Sequence, residues 1–409
     1  MVGACSESGQ DAQSATTTST SAPQQGGEGS DVLTLGALVP ETGELAFLGP
    51  GLTAAVALAI ADVNEAGGVL SSPVELAVAD EGEAEGEQVD ASTETLLREG
   101  VDGIVGPASS VAALHVIDQV TGSNVLLFSP ANTASELTDY DDSGLYFRTA
   151  PSDVLQGEAL AQALGEDGAV SVSIAATEGD YGEQIADFTA DALEAEGTDL
   201  ATTVLYDPAD DDLADEVEDL VAADADAVLV AGFEGTGALV QEMVRQGIGP
   251  TERIVYGANG SCTEDLIEAF ADDLAALQGM KCLVPGAPVP QALLDRLQAA
   301  EEPVEDPTHA PEAYDAVVIT ALSAESAGTD DPLTVAAEVV GVTTDGTPCE
   351  TYAGCLALLG EGEDIDYQGQ SGAIELSEEG DPTVASFAVD VFGPQGRLLV
   401  AEREYIEVG

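Results

Sequence analysis

The stretch VDGIVGPASSVAALHVIDQVTGSNVLLFSPANTASEL (residues 101–137) alternates short apolar segments with helical ones. VDGIV (101–105) reads as a strand, GPASS (106–110) as a turn and VAALHVIDQV (111–120) as a helix. NVLLF (124–128) is a second strand, running into SPANTASEL (129–137). Strand–helix alternation through loops this short implies a parallel sheet covered by helices. Upstream, VLTLGALV (32–39) is a strand, PETGELAFLGPG (40–51) a loop, 52–65 a helix ending at Gly67-Gly68, VELAVAD (74–80) a strand and 88–99 a helix ending at Gly100. Downstream the pattern begins again. AVSVSIAA (169–176), ATTVLY (201–206), AVLVAG (227–232) and RIVYG (253–257) are strands, and 183–196, 213–223, 238–246 and 263–270 are helices. The chain therefore reads as α/β, with two doubly wound, Rossmann-like lobes.

The last third breaks the pattern. Helices are expected over 311–326 and 333–339, then strands at GAIEL (372–376), VASFAVDVF (384–392) and REYIEV (403–408). Such pieces imply a chain that returns to both lobes, crossing a three-strand hinge near 148–152, 283–288 and 378–386. The expected N-terminal lobe is 31–148 plus 288–380, and the C-terminal lobe 149–287 plus 381–409. Ahead of them, residues 6–30 are rich in Ser, Thr, Gly and Gln and read as a disordered linker. Flexible-chain scaling gives that linker an end-to-end distance of roughly 25–30 Å.

The 409 residues carry 78 acidic against 8 basic side chains, a formal net charge of −70. Nucleic-acid binding needs basic patches, and Lys281 is the only lysine. Self-repulsion on this scale strains a compact state unless salt screens it, so the acidity points to adaptation to high external salt. No apolar run approaches the roughly 18 residues of a membrane span.

Most catalytic signatures are missing. One lysine, in GMKC (279–282), leaves no phosphate loop, and HExxH and GxSxG do not occur. His115 and His309 lie in unrelated contexts, and His115 falls inside an apolar helix as a structural histidine. DYDDSG (139–144) opens like a calcium loop, but Ala150 stands where its last carboxylate belongs, so it reads as a polar turn. No catalytic residue, metal or cofactor is called for.

Binding chemistry is present. Open parallel sheets bind ligands beyond the carboxyl ends of their strands. There GPASS and SPANTASEL supply small residues and hydroxyls at helix starts, with Ser109, Ser110 and Thr133 as candidates. Free backbone N–H groups at such a start suit a carboxylate. The facing loops TEGDYG (177–182), FEGTG (233–237) and ANGSC (258–262) offer Tyr181, Phe233, Glu234 and Asn259.

On six segments the chain resembles the type I periplasmic binding proteins, in their leucine/isoleucine/valine-binding branch of ABC-transporter lipoproteins. These are residues 36–69 (GALVPETGELAFLGPGLTAAVALAIADVNEAGGV), IVGPASS, LLFSPANTASELTD, GDYGE, GFEGTGALVQEM and APEAYDAV, in the family's order. The resemblance covers about 31–409. It implies two lobes closing on one small solute, an ABC permease and ATPases as partners, and no catalysis. A monomer is expected. By motif, the ligand's carboxylate falls to Ser109 or Ser110 with Ala131 and Thr133, and the second lobe contributes Tyr181, Phe233 or Glu234, and Asn259. Two departures stand out. Leu48 occupies a first-loop position where the family often has an aromatic, and Asn259 stands where it usually has an acid for the ligand's ammonium. Either Glu234, Asp180 or Glu178 supplies that charge, or the ligand lacks an α-ammonium, which leaves urea, short amides and other small carboxylates open. A sensory receptor of the same fold is the rival reading.

VGAC (2–5) matches a lipobox, with Cys5 as the lipid-bearing residue tethered to the outer face of the cell membrane. Four residues cannot direct export, so a signal segment is expected ahead of this start. The other four cysteines form an even set. Cys262–Cys282 and Cys349–Cys355 are the favoured pairs because each joins sequence neighbours, with a four-cysteine zinc site as rival.

Overall fold

A computed structural model describes residues 32–409 apart from 44, 85, 211, 301, 302 and 400–402, so Cys5 and the linker lie outside the described residues. The first lobe opens with β1 (Thr34–Val39), α1 (Gly49–Glu65), β2 (Glu75–Asp80), α2 (Glu87–Glu99), β3 (Gly103–Val105), α3 (Ser110–Thr121), β4 (Leu126–Ser129) and β5 (Tyr146–Arg148). Its five strands are all parallel, in the order β2-β1-β3-β4-β5. The chain then enters α4 (Asp153–Glu166), β6 (Ser171–Thr177), α5 (Asp180–Glu196), β7 (Asp199–Tyr206), α6 (Ala214–Ala223) and β8 (Ala227–Ala231). α7 (Thr236–Gln246), β9 (Ile254–Gly257), α8 (Glu264–Ala269) and β10 (Lys281–Pro285) complete the second α/β run. Five strands of the second sheet run β7-β6-β8-β9-β10, the same winding as in the first lobe. Each sheet thus reverses direction once, between β1 and β3 and between β6 and β8. Ligands of doubly wound sheets sit at that reversal.

The rest of the chain covers and closes these sheets. α9 (Gln291–Gln298), α10 (Ala310–Ala327), α11 (Pro332–Val339), β11 (Thr347–Cys349), α12 (Tyr352–Glu361) and β12 (Ile365–Tyr367) pack with the first lobe, whose core runs from Leu35 and Val56 through Val317 to Tyr367. β13 (Ala385–Val391) and β14 (Glu404–Val408) add antiparallel strands to the edge of the second sheet. GAIEL forms no strand. Ile374 and Leu376 sit in the first-lobe core, and the segment makes only isolated bridges, Gly369 with Gly372 and Leu376 with Pro382. Side-chain burial without a partner strand explains the misleading alternation. Cys262–Cys282 and Cys349–Cys355 form the two disulfides, as their proximity in sequence led one to expect.

α4 is harder to read in the sequence because its wet stripe is narrow and begins with an apolar residue. Leu155, Gln156, Gly157, Ala159, Leu160, Ala161, Ala163 and Leu164 are buried, and the exposed Val154, Glu158 and Glu166 with the half-buried Gln162 line the remaining face at four-residue spacing. It lies tight against α5. A Cβ on Gly157 would come within 2.6 Å of Phe188 Cβ and 2.9 Å of the Thr189 amide nitrogen, so only glycine permits this approach.

Arg148, the last residue of β5, is fully buried where the chain first leaves the first lobe. Its Nε and Nη2 each bond one carboxylate oxygen of Asp381 at 2.6 Å, just before the chain enters β13. Nη1 donates to the Ala134 carbonyl at 2.8 Å and Nη2 to the Thr138 hydroxyl at 2.8 Å. One guanidinium therefore fixes two of the hinge crossings and the loop after β4. Removing one partner of a buried pair leaves an uncompensated charge, which costs about 3–5 kcal/mol. Asp381→Ala should lower the denaturation free energy by that order, read from urea melts. A loss under about 1 kcal/mol would show the pair to be dispensable.

Candidate functional site

Two loops of the first lobe, after β3 and β4, are tied into one surface by hydroxyls. Glu81, just past β2 and 1% exposed, accepts the N–H groups of Ala108 and Ser109, each at 2.8 Å. Burial raises its pKa, and those two N–H bonds oppose the rise. Two of the helix-start donors that a ligand carboxylate was expected to use are therefore already taken. Ser109 Oγ caps α3 by accepting from the Ala112 N–H at 3.3 Å. Ser110 Oγ accepts from the N–H groups of Thr133 (3.2 Å) and Ala134 (3.3 Å). Both its lone pairs are used, so the Ser110 hydroxyl has only its proton left to offer, and that proton suits an anionic oxygen. Ala131 is held by its N–H to Ser129 Oγ at 3.2 Å.

The second lobe presents aromatics. Tyr181, on the first turn of α5, and Phe233, after β8, lie with ring centroids 4.3 Å apart. Gly260 makes the pair possible, since a Cβ there would sit 2.6 Å from Phe233 Cε1 and 2.8 Å from Tyr181 Cε1. The Gly260 N–H donates to the Tyr181 hydroxyl at 3.0 Å. Phe233 is 53% exposed and Glu234 is exposed beside it, whereas Asn259 is half-buried. The Asn259 N–H donates to Gln156 Oε1 at 2.9 Å.

Sequence reasoning missed the residues that join the two halves. Asp153 and Gln156 sit on the first turns of α4, between the lobes. The Asp153 N–H donates to the Thr133 carbonyl at 2.8 Å, and Gln156 Nε2 donates to Asp153 Oδ1 at 2.9 Å. A continuous hydrogen-bonded path thus runs from Thr133 through Asp153 and Gln156 to Asn259. Burial pushes the Asp153 carboxyl up to about 7, against the pull of the Thr133 hydroxyl, the Arg148 charge and the Gln156 amide. Burial also raises the Tyr181 pKa, with the Asp153 charge adding to it. Pro151-Ser152-Asp153 is a legible helix start, and that signal was available in the sequence.

The other candidates fall outside this path. Leu48 is 5% exposed and packs in the first-lobe core, and Phe47, 57% exposed, is the aromatic that this loop presents instead. A one-residue offset in a loop moves the side chain from solvent to core. Glu178 and Glu234 are exposed, and the Asp180 side chain is not among those described. Direct bonds across the cleft come from Gln184 on α5, which accepts from the Ser135 hydroxyl at 2.7 Å and donates to Glu136 at 2.6 Å. DYDDSG is a polar turn, in which Asp142 accepts the Gly144 N–H at 2.6 Å. Among the described residues no group of acids, histidines and cysteines has metal-binding geometry.

The chain belongs to the periplasmic binding protein family, whose model matches residues 32–355. It is 27% identical over 344 residues to Leu/Ile/Val-binding protein homolog 3 of Brucella melitensis, covering 81% of this chain and 88% of that one. It is 26% identical over 362 residues to the chemotactic signal transduction system substrate-binding protein BasB of Halobacterium salinarum, covering 86% and 84%. The isoleucine complex of the branched-chain amino acid transporter substrate-binding protein LivJ from Streptococcus pneumoniae superposes with a TM-score of 0.68 at 20% identity, over 92% of this chain and all of that one. A Rhodopseudomonas palustris solute-binding protein in complex with 4-hydroxybenzoate superposes with a TM-score of 0.67 at 18% identity, over 90% and 95%. The fold is that of the type I periplasmic binding proteins, and the relatives are substrate-binding proteins rather than enzymes.

Buried acids give the fold a definite pH response. Burial raises Asp153 and Asp102 to about 7 and Glu312, near the hinge, to about 8. Unfolded carboxyls release their protons near 4, so the folded chain holds these protons more tightly. Their stabilising contribution is complete below about pH 4 and is lost as pH rises through about 7–8. At fixed molar salt the melting temperature should fall between pH 5 and pH 8.5. A melting temperature that climbs over that interval contradicts the assignment.

Proposed function

We propose that this chain is the extracytoplasmic solute receptor of an ABC importer, tethered through Cys5, and that it binds a branched-chain-type amino acid or a related small carboxylate between its lobes. The observation that supports this reading is the hydrogen-bonded path from Ser110 and Thr133 through Asp153 and Gln156 to Asn259, whose neighbour Gly260 holds the tilted Tyr181–Phe233 pair. Ser110 offers a proton to an anionic oxygen, and the rings offer an apolar wall that excludes water. Binding across the cleft draws the lobes together, and the permease reads the closed form. Expected partners are the permease, its ATPases and the lipid surface around the anchor. The proposed lobe division is 31–148 plus 288–380 against 149–287 plus 381–409.

A second reading has its own support. The Halobacterium relative is named for chemotactic signalling, so a sensory partner is the alternative reader of closure. Gene neighbours separate the two: a permease–ATPase pair for import, a transducer for sensing.

Thermal shift in molar salt against the standard amino acids, urea, short amides and small carboxylates tests the ligand class. Leucine, isoleucine or valine should raise the melting temperature, since a ligand at 100 times its Kd stabilises the fold by about 2.7 kcal/mol. Silence across the panel sinks the proposal, and a response to urea or amides alone moves the site to another solute class. Thr133→Ala should weaken binding of a responding ligand by about 0.5–1.5 kcal/mol. The acidic surface adds a prediction. The screening length grows from about 3 Å at 1 M salt to about 10 Å at 0.1 M. The melting temperature should therefore drop on transfer from 1 M to 0.1 M salt, and constancy would remove the case for salt adaptation.

A further inference from the structure

The second-lobe wall is assembled from three strands. Tyr181 follows β6, Phe233 follows β8 and Asn259-Gly260 follows β9. The ladders between these strands end at Ala176 with Ala231 and at Val230 with Gly257. Phe233 and Asn259 therefore lie beyond the last rung, and other bonds must set their places. Ser261, fully buried, makes the first of them. Its Oγ accepts the Gly232 N–H at 3.1 Å. Its one proton is shared between the carbonyls of Val230 at 2.9 Å and Gly232 at 3.0 Å. One buried hydroxyl thus ties the residue before Phe233 to the residue after Gly260.

The next residue is held covalently. Cys262 is joined to Cys282, with their Cα atoms 6.1 Å apart. Cys282 is fully buried in β10, paired with Gly257 of β9 on one side and Asp390 of β13 on the other. The anchor is therefore an interior strand, which the sheet fixes from both sides. The bridge passes over the end of β9, where a Cβ on Gly257 would come within 2.6 Å of Cys262 Sγ, so only glycine admits it. From this clamp the hold extends to the rings. The Gly260 N–H donates to the Tyr181 hydroxyl at 3.0 Å, and the Tyr181 and Phe233 centroids stand 4.3 Å apart.

We propose that Ser261 and the Cys262–Cys282 bridge are positioning groups, which preset the Tyr181–Phe233 wall before a solute enters. The inference rests on the cleft being the solute site of the proposed function. A wall ordered in advance spares that ordering at the moment of binding, which would otherwise weaken affinity. A bridge between cysteines 20 residues apart also constrains the unfolded chain, so its loss lowers stability whatever it does for the site. Melting temperature alone is therefore no test. Cys349–Cys355 supplies the control, because it joins β11 to α12 in the other lobe and its loss lowers stability too.

The test is calorimetric titration of the full chain with leucine in molar salt, at a temperature where every variant is folded. Replacing both cysteines of the first bridge, Cys262→Ala with Cys282→Ala, should lower the melting temperature and weaken leucine binding about tenfold, the cost of ordering two rings on binding. Ser261→Ala should weaken leucine binding in the same direction. Cys349→Ala with Cys355→Ala should lower the melting temperature and leave leucine affinity within about twofold of the wild type. Amide hydrogen exchange of the ligand-free wild type reads the clamp even where a variant does not fold. The Gly232 and Gly260 N–H groups should be as protected there as after leucine is added. Unchanged affinity without the first bridge, equal weakening in the two disulfide variants, or protection of these two amides only on leucine binding overturns the assignment alone. A wild type that does not bind leucine overturns the solute class and the assignment with it.

Discussion

The buried pair of Arg148 and Asp381 is the constraint on which the cleft depends. A two-lobed protein must cross between its lobes without letting the crossings drift, because the loops that form the site hang from the same segments. Here one planar guanidinium meets a carboxylate with two 2.6 Å bonds and gives its remaining donors to the Ala134 and Asn132 carbonyls and the Thr138 hydroxyl. Arginine suits this place because its fork makes several directed bonds from one rigid group. The loop carrying Thr133 is therefore set by the hinge itself. The second lobe meets the first through Gln184, with Ser135 and Glu136, and through the Asp153 N–H on the Thr133 carbonyl.

From that anchor the hydrogen bonding runs in one direction. Thr133 is held by Ser110 and by Asp153, Asp153 by Gln156, and Gln156 by the Asn259 amide. Backbone amides only donate, which fixes the Gln156 carbonyl toward Asn259 and its NH2 toward Asp153. The same logic leaves Ser110 as a donor. The site thus has a polarity decided by who is already bonded to whom, before any ligand enters. Glu81 sharpens it by occupying the Ala108 and Ser109 N–H groups ahead of α3.

Much of this was legible in the sequence, and the gaps have physical causes. Segments such as VLTLGALV and AVLVAG announce themselves because strands buried on both faces are continuously apolar. The loops with Ser110, Thr133, Tyr181 and Asn259 were legible because the sheet order places strand ends together. α4 was harder to read, since its wet stripe of Glu158, Gln162 and Glu166 is narrow and begins with the apolar Val154, and with it went Asp153 and Gln156. GAIEL misled for the opposite reason: alternate burial of Ile374 and Leu376 imitates a strand where the segment has no partner. Leu48 and Phe47 show the limit of motif carry-over in a loop, where the residue type persists but its neighbour carries the exposure.

The surface charge and the site chemistry constrain one another. Of the eight basic residues, Arg148, Arg245, Arg253, Lys281, Arg296 and Arg403 are each paired with an acid in the described structure. No basic patch remains to draw in an anion, and a net charge of −70 repels one at long range. A zwitterion feels no net force in that field. In molar salt the field dies within about 3 Å, so recognition is left to groups in contact with the ligand. At the lobe junction the groups at hand are the Ser110 hydroxyl, with both lone pairs used, and the buried Asp153 carboxyl, while the nearby Arg148 is committed to Asp381.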